Sequence, residues 1–488
     1  MSGSRRLYAL GVHDVASGVA SREFSAEEYI SQILERIQLV EPKINALITV
    51  SGKEALESAR ALDKKIRDGA RGGPLAGVAV SIKDNICTKG IRTTCSSKML
   101  DSFIPPYSAT AVEKLEEAGA IVIGKANLDE FAMGSTTEFS RHGPSRNPWD
   151  ISRVPGGSSG GSAASVAALE CAASLGSDTG GSVRCPASFC SVVGMKPTYG
   201  VVSRYGLISY ANSLEQIGPF ARSVSDVSAV FDVICGTDEK DQTTIEGKVA
   251  SGGDSATAES KLRVGLVKEF IEGADESVAK IIYTAYDSFA ETGSRCSEVS
   301  LESAKYTLAS YYTIAMAEAS SNLARFDNLR YGYDLNPEGF EWNSYIAKAR
   351  SEFGSEVKRR IILGSYVLSS GYYGRYYVKA QRVRNLLRAE LASLFKQHDI
   401  LIGPTMPILP FKAGEKIDDP LKMYLVDVDT VVANLAGTPA VSVPAGFVAG
   451  LPVGLQIIAA HGCEKTMLDA AMQFESRHAH DIPRSPEI

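Results

Sequence analysis

The chain has 488 residues, 44% hydrophobic and 22% charged, with a formal net charge of −6. That is the composition of an ordinary folded protein, and the length has room for roughly three domains of about 150 residues. The acidic balance excludes a globally basic nucleic-acid binder, and no apolar run approaches the ~20 residues that span a bilayer.

The first residues, MSGSRRLYALGVHDVASG, lack the apolar core and cleavage site of a secretory signal. The eight cysteines, at 87, 95, 171, 185, 190, 235, 296 and 463, form no CxxC pair. They are expected to be reduced thiols of a cytoplasmic protein, with no metal site.

In chain order, Ser25-Ala26-Glu27-Glu28 is a capping box, and Ile30, Ile33, Leu34 and Ile37 follow at helical spacing. Pro42 should end that helix, and a charged helix follows over 53–66. Gly72-Gly73-Pro74 precedes a short apolar strand, 78–82, closed by Lys83-Asp84-Asn85. A lysine closing a buried strand is unexpected, because desolvating an ammonium is costly unless it is paired or neutral. In isolation, escape of that lysine to solvent is the commoner outcome. A helix is expected over 110–117 and a strand over 120–124.

Pro155 to Pro186 is the most unusual stretch, PGGSSGGSAASVAALECAASLGSDTGGSVRCP. Gly156, Gly157, Gly160 and Gly161 surround Ser158 and Ser159, and Gly180-Gly181 precede Ser182. The small-residue run 162–173 between them should be a buried helix leading into a strand. Such glycines let main-chain N–H groups approach a ligand closely. A flexible linker is disfavoured by the helix between the clusters. Phosphate binding is disfavoured because neither GxxxxGK[ST] nor GxGxxG is present.

Further βα alternation runs through 192–196 and the helix near 226–235 and resumes at 262–267. It predicts an α/β fold with a large mixed, mostly parallel sheet covered by helices on both faces. Residues 243–260 are polar and small, as in a mobile surface loop. From Tyr306 to Phe395 the chain is helical and rich in Tyr and Arg, a composition suited to carboxylate-bearing ligands or to packing against a partner. Late strands are expected at 400–402, 440–443 and 454–458, with a closing helix from about Lys465. The expected organisation is one domain over 1–488: N-terminal helices 1–70, a catalytic core 71–242, a loop 243–261, and the remaining sheet with the Tyr/Arg-rich region over 262–488.

A serine nucleophile needs a base. None of the six histidines sits in a motif with acidic support, and GxSxG is absent, which disfavours a Ser-His-Asp hydrolase. An amine is the remaining base, and Lys83 is the best candidate.

VAVSIKDN around Lys83, PGGSSGGSAASVAA and GSDTGGSVRCPASFCSVVGMKPTYG resemble, in that order, the amidase signature family. The resemblance runs through the whole chain. It implies the amidase signature fold and a triad of Lys83, Ser158 behind a cis Gly157–Ser158 peptide, and nucleophilic Ser182. It further implies an oxyanion hole from the N–H groups of Thr179, Gly180, Gly181 and Ser182. The segments TTCSSKML, DEFAMGSTTE, EASSNLARFDNLRYGY, EVKRRIILG and LAGTPAVSVPAG resemble the branch whose members hydrolyse glutamine within tRNA-dependent amidotransferases. That likeness implies that Tyr311, Arg360 and Asp427 hold the glutamine backbone, with Asp429 as the rival acid. It also implies B and C partner subunits, tRNA held mainly by the B partner, ATP and magnesium in that partner, and no cofactor or membrane contact for this chain. The alternatives are a stand-alone amidase for a small amide, a phosphate-binding protein and a silent scaffold subunit.

Overall fold

In the computed structural model, residues 6–246, 261–333, 335–336, 338–415, 420–478, 482–483 and 485–488 are described. Most of the expected surface loop 243–260 lies outside them.

Helix Ala26–Ile44 begins as the capping box predicts, with Ser25 Oγ accepting the Glu28 N–H at 2.9 Å. Asp63 of helix Gly52–Arg67 accepts the N–H groups of Ala26 and Glu27, so the second helix caps the first. Pro42 does not end that helix, which runs on to Ile44. A proline in the last turn removes one N–H from the ladder, and Asn45, left-handed at φ 51°, makes the stop three residues later.

Eleven strands form one sheet among the described residues. They are β1 (Leu47–Val50), β2 (Ala79–Lys83), β3 (Ile121–Ala126), β4 (Ala173–Asp178), β5 (Val193–Lys196), β6 (Gln216–Ala221), β7 (Arg263–Val267), β8 (Arg295–Val299), β9 (Ile400–Pro404), β10 (Ala440–Val448) and β11 (Leu451–Ala459). Their order is β1-β3-β2-β4-β6-β5-β10-β11-β9-β7-β8. The sheet is mixed, as expected, but parallel pairing does not dominate. It is confined to β3-β2-β4 at one end and β9-β7-β8 at the other. The centre, β4-β6-β5-β10-β11-β9, is antiparallel. The βα rhythm counts only strands linked by helices. It overlooks β6, and it cannot show that β10 and β11 form a hairpin turned at Ala449-Gly450, both at positive φ.

Successive residues of single strands face different cores. Ile400 and Ile402 join one cluster and Leu401 the other, and Ile457 and Ile458 divide the same way. Both faces are therefore covered. Helix Gly160–Ala167 is shorter than the 162–173 run suggests. Leu169 turns left-handed at φ 65°, and Ala173 already pairs with Val80 of β2.

The last residue of β4 anchors what surrounds the sheet's centre. Asp178 pairs with Arg184 at 3.0 Å, both side chains fully buried. Arg184 also donates to Thr430 O at 2.9 Å, Gln456 Oε1 at 2.6 Å and Asn434 Oδ1 at 2.6 Å. One guanidinium thus joins β4, β11 and helix Val431–Ala436. Burial alone would push the Asp178 carboxyl up, but the charge and hydrogen bonds of Arg184 outweigh it and hold the group below the ordinary carboxylate value. Removing one member of a buried pair leaves the other uncompensated. Arg184→Met is therefore expected to cost about 3–5 kcal/mol in denaturant unfolding; a change within about 0.5 kcal/mol, the usual range of surface substitutions, would contradict this role.

Candidate active site

Two strand ends and two helix starts bring the chemistry together. Lys83 ends β2, and Ser177 and Asp178 end β4, its parallel neighbour. Ser158 lies just before helix Gly160–Ala167, and the turn 179–183 leads from β4 into helix Arg184–Cys190.

Lys83 does not escape to solvent. Its Nζ lies 2.8 Å from Ser158 Oγ, 2.9 Å from Ser177 Oγ and 3.3 Å from Ser177 O. Burial pushes its pKa down to about 7, against the pull of the Asp129 and Asp178 charges. The Gly157–Ser158 peptide is cis. The Ser159 N–H donates to Ser182 O at 3.2 Å, which seats the Ser182 turn against the Ser158 loop. Lys83 and Ser158 are fully enclosed while Ser182 is 9% exposed, so Ser182 is the most accessible of the three.

The 179–182 turn depends on its glycines. A Cβ on Gly180 would lie 2.3 Å from Cζ of Tyr311. Gly181, at φ +129°, would place one 2.2 Å from Thr430 Oγ1. Thr430 Oγ1 in turn donates to Gly180 O at 2.6 Å. One expected oxyanion donor is already engaged: the Gly181 N–H donates to Asp178 Oδ1 at 2.8 Å. Among the described residues, the N–H groups of Thr179, Gly180 and Ser182 carry no such bond.

The Tyr/Arg-rich helices supply the neighbouring wall. Tyr311 packs its ring on Gly180 and edge-on against Tyr312, centroids 4.9 Å apart. Tyr312 OH donates to Asp427 Oδ2 at 2.6 Å, and Ser135 Oγ lies 2.9 Å from both Asp427 oxygens. Burial raises Asp427 to about 6, and those two hydroxyls limit the rise. Of the two candidate acids, Asp427 is the one that bonds Tyr312 and Ser135 in this wall. Asp429 is buried deeper, with one carboxylate oxygen lacking a partner, and burial pushes its carboxyl well up. Arg360 is buried, its Nε donating to Glu356 at 2.7 Å and its Nη1 to Tyr210 OH at 2.7 Å. The rings of Tyr210, Tyr312 and Tyr424 stand 5.4–5.5 Å from its guanidinium carbon. Its Nη2 donates to no other group among the described residues.

Asp427 and Arg360 therefore both contact Tyr312, one at its hydroxyl and the other over its ring, and Tyr311 joins Tyr312 to the serine turn. Sequence reading missed Ser177, Ser135, Tyr312, Tyr210 and Glu356, whose residue types are unremarkable without the fold. Only Tyr312 and Glu356 lie in the Tyr/Arg-rich region, and Tyr210 is far from it in sequence. Among the described residues, no group of three or more His, Cys, Asp or Glu could hold a metal ion, and no helix is long and apolar enough to cross a membrane.

The family model for amidases matches residues 28–468. The A chain of the glutamyl-tRNA(Gln) amidotransferase of Methanosarcina mazei is 51% identical over 96% of this chain and 97% of its own length. Its counterpart of the same name in Carboxydothermus hydrogenoformans is 53% identical at the same coverage. The crystal structure of the corresponding glutamyl-tRNA(Gln) amidotransferase chain of Thermotoga maritima superposes with a TM-score of 0.81 at 40% identity, covering 97% of this chain and 96% of that one. With its motifs, its sheet and its nearly full-length relatives in agreement, the chain belongs to the amidase signature family.

Proposed function

We propose that this chain is the glutaminase component of a glutamyl-tRNA(Gln) amidotransferase, using Lys83, Ser158 and Ser182 to release ammonia from glutamine. The observation that carries this reading is the pairing of a buried lysine–serine contact with two anchors of opposite charge, Arg360 and Asp427, that contact one tyrosine.

The Lys83–Ser158 contact at 2.8 Å supports the first proton transfer, and the backbone bond from Ser159 to Ser182 supports the second. Neutral Lys83 takes the Ser158 proton, Ser158 takes that of Ser182, and Ser182 Oγ attacks the carboxamide carbon. The N–H groups of Thr179, Gly180 and Ser182 face the developing oxyanion, worth on the order of 3 kcal/mol per donor. Ser158 passes its proton to the departing nitrogen, the C–N bond breaks, and ammonia leaves a glutamyl ester on Ser182. Water, deprotonated along the same row, hydrolyses the ester to glutamate. Arg360 holds the α-carboxylate, Asp427 the α-ammonium, and Tyr311 closes the wall between them.

In a complex with B and C partner subunits, ammonia is then consumed in the B partner, where ATP and magnesium activate the glutamate carried on tRNA. The acidic charge of this chain fits tRNA being gripped by the B partner. With the chain co-expressed with candidate B and C partners, ammonia release from glutamine is expected to be stimulated by charged tRNA and ATP and abolished by Ser182→Ala. Cleavage of simple amides with glutamine inert would instead make this a stand-alone amidase and remove the roles of Arg360 and Asp427.

The reactive form of Lys83 is the deprotonated one, so activity is lost as pH falls. With the pKa at about 7, kcat/KM should rise through neutrality and level off above it, and protonation of Asp427 near 6 adds a second loss at lower pH. A profile flat from about pH 5.5 to about 8.5 would rule out Lys83 as the base.

A further inference from the structure

Asp129 and Glu130 are adjacent, buried, and absent from the chemistry above. Asp129 faces the serine row. Its N–H donates to Ser158 O at 3.2 Å, and its carboxylate accepts the N–H groups of Thr136, Thr137 and Phe139 at 3.3, 2.9 and 3.2 Å. The segment so held carries Ser135, which bonds Asp427, and Thr137, whose Oγ1 donates to Gly156 O at 2.8 Å. Contact is close enough that a Cβ on Gly157 would lie 2.4 Å from Asp129 Oδ2.

Glu130 faces the other way. It accepts from Ser97 Oγ and from the Gly354 N–H, the latter at 2.7 Å. Gly354 is the N-cap of helix Ser355–Leu368, which carries Glu356 and Arg360. A Cβ on Gly354 would stand 2.3 Å from Glu130 Oε2, so helix and carboxylate are in direct contact. Two consecutive residues thus reach the serine row, the Asp427 anchor and the helix of the Arg360 anchor.

We propose that the Asp129–Glu130 pair is a positioning element that sets the spacing between the acylation centre and the α-carboxylate anchor, Glu130 being the arm that fixes the Arg360 helix. The proposal rests on the glutaminase reading above. Neither residue is a catalytic one: each acts through the groups it holds. Consecutive Cα atoms are about 3.8 Å apart, so a dipeptide is a short and stiff gauge. Misplacement by about 1 Å can cost as much as ~10²-fold in rate.

The test compares glutamine with butyramide, which is glutamine stripped of its α-ammonium and α-carboxylate, on the complex with the B and C partners. Glu130→Ala is expected to lower kcat/KM for glutamine about 10- to 100-fold, mainly through KM, and for butyramide by less than about 3-fold. Glu130→Gln, whose amide oxygen can still accept the Gly354 N–H, should restore the glutamine KM. Gly354→Ala, which pushes the helix off from its own side, should reproduce the Glu130→Ala pattern. Equal losses on both substrates, or no rescue by glutamine at position 130, would overturn the proposal. A wild-type complex that cleaves butyramide but not glutamine would overturn the functional reading itself.

Discussion

The buried Asp178–Arg184 pair is the constraint on which the site depends. Asp178 commits its carboxylate to the Gly181, Val183 and Arg184 N–H groups, to Asn434 and to the guanidinium. Two dehydrated charges are stable together only when nearly every lone pair and N–H is used, and here the residues on both sides of Ser182 supply most of those partners. The electrostatic need of one ion pair therefore shapes the loop that presents Ser182. The same need engages the Gly181 N–H, while those of Thr179, Gly180 and Ser182 carry no such bond among the described residues.

Burial of an amine is not enough to make a base, as three lysines in this chain demonstrate. Lys83, Lys125 and Lys196 are all buried, and desolvation lowers all three. Lys125 donates to Ile86 O, Thr88 Oγ1 and Thr93 Oγ1, with Asp84 3.8 Å away, which suits a full set of N–H donors near a carboxylate. Lys196 donates to the Pro197 carbonyl, which has no proton to give. Lys83 alone of the three faces a serine whose own loop contacts the turn that carries Ser182. A hydroxyl partner is not the distinction, since Lys125 has two; the connection of that hydroxyl to a second, more accessible serine is.

Much of this is legible in the sequence. The strand closed by Lys83, the two glycine-serine clusters and the Tyr/Arg helices all stand where periodicity and composition place them. Three things are not legible. Strand pairing escapes the sequence because β6 enters the sheet without its own crossover helix, and a rhythm of helices and strands is blind to that. Pro42 looks like a stop, although a proline near a helix end costs the ladder a single bond. Ser135 and Ser177 carry no pattern at all. A serine becomes part of a site only when a carboxylate such as Asp427 or an amine such as Lys83 is folded against it.

Arg360 shows why such supporting residues matter to binding. A free arginine side chain loses up to ~2 kcal/mol of rotamer entropy when a ligand orders it. In this chain Glu356, Tyr210 and three aromatic rings already fix its plane, with Tyr424 OH donating to Glu356 at 2.8 Å as a further brace. The entropy is lost on folding, where the core offsets it, and not on binding. A carboxylate arriving at the remaining nitrogen meets a guanidinium that need not move, in surroundings where water competes poorly. Recognition by one rigid, dry arginine then discriminates by geometry as well as by charge. On the proposed glutaminase reading, the position of its helix, and not only the presence of its guanidinium, would govern which amides are held in line with Ser182.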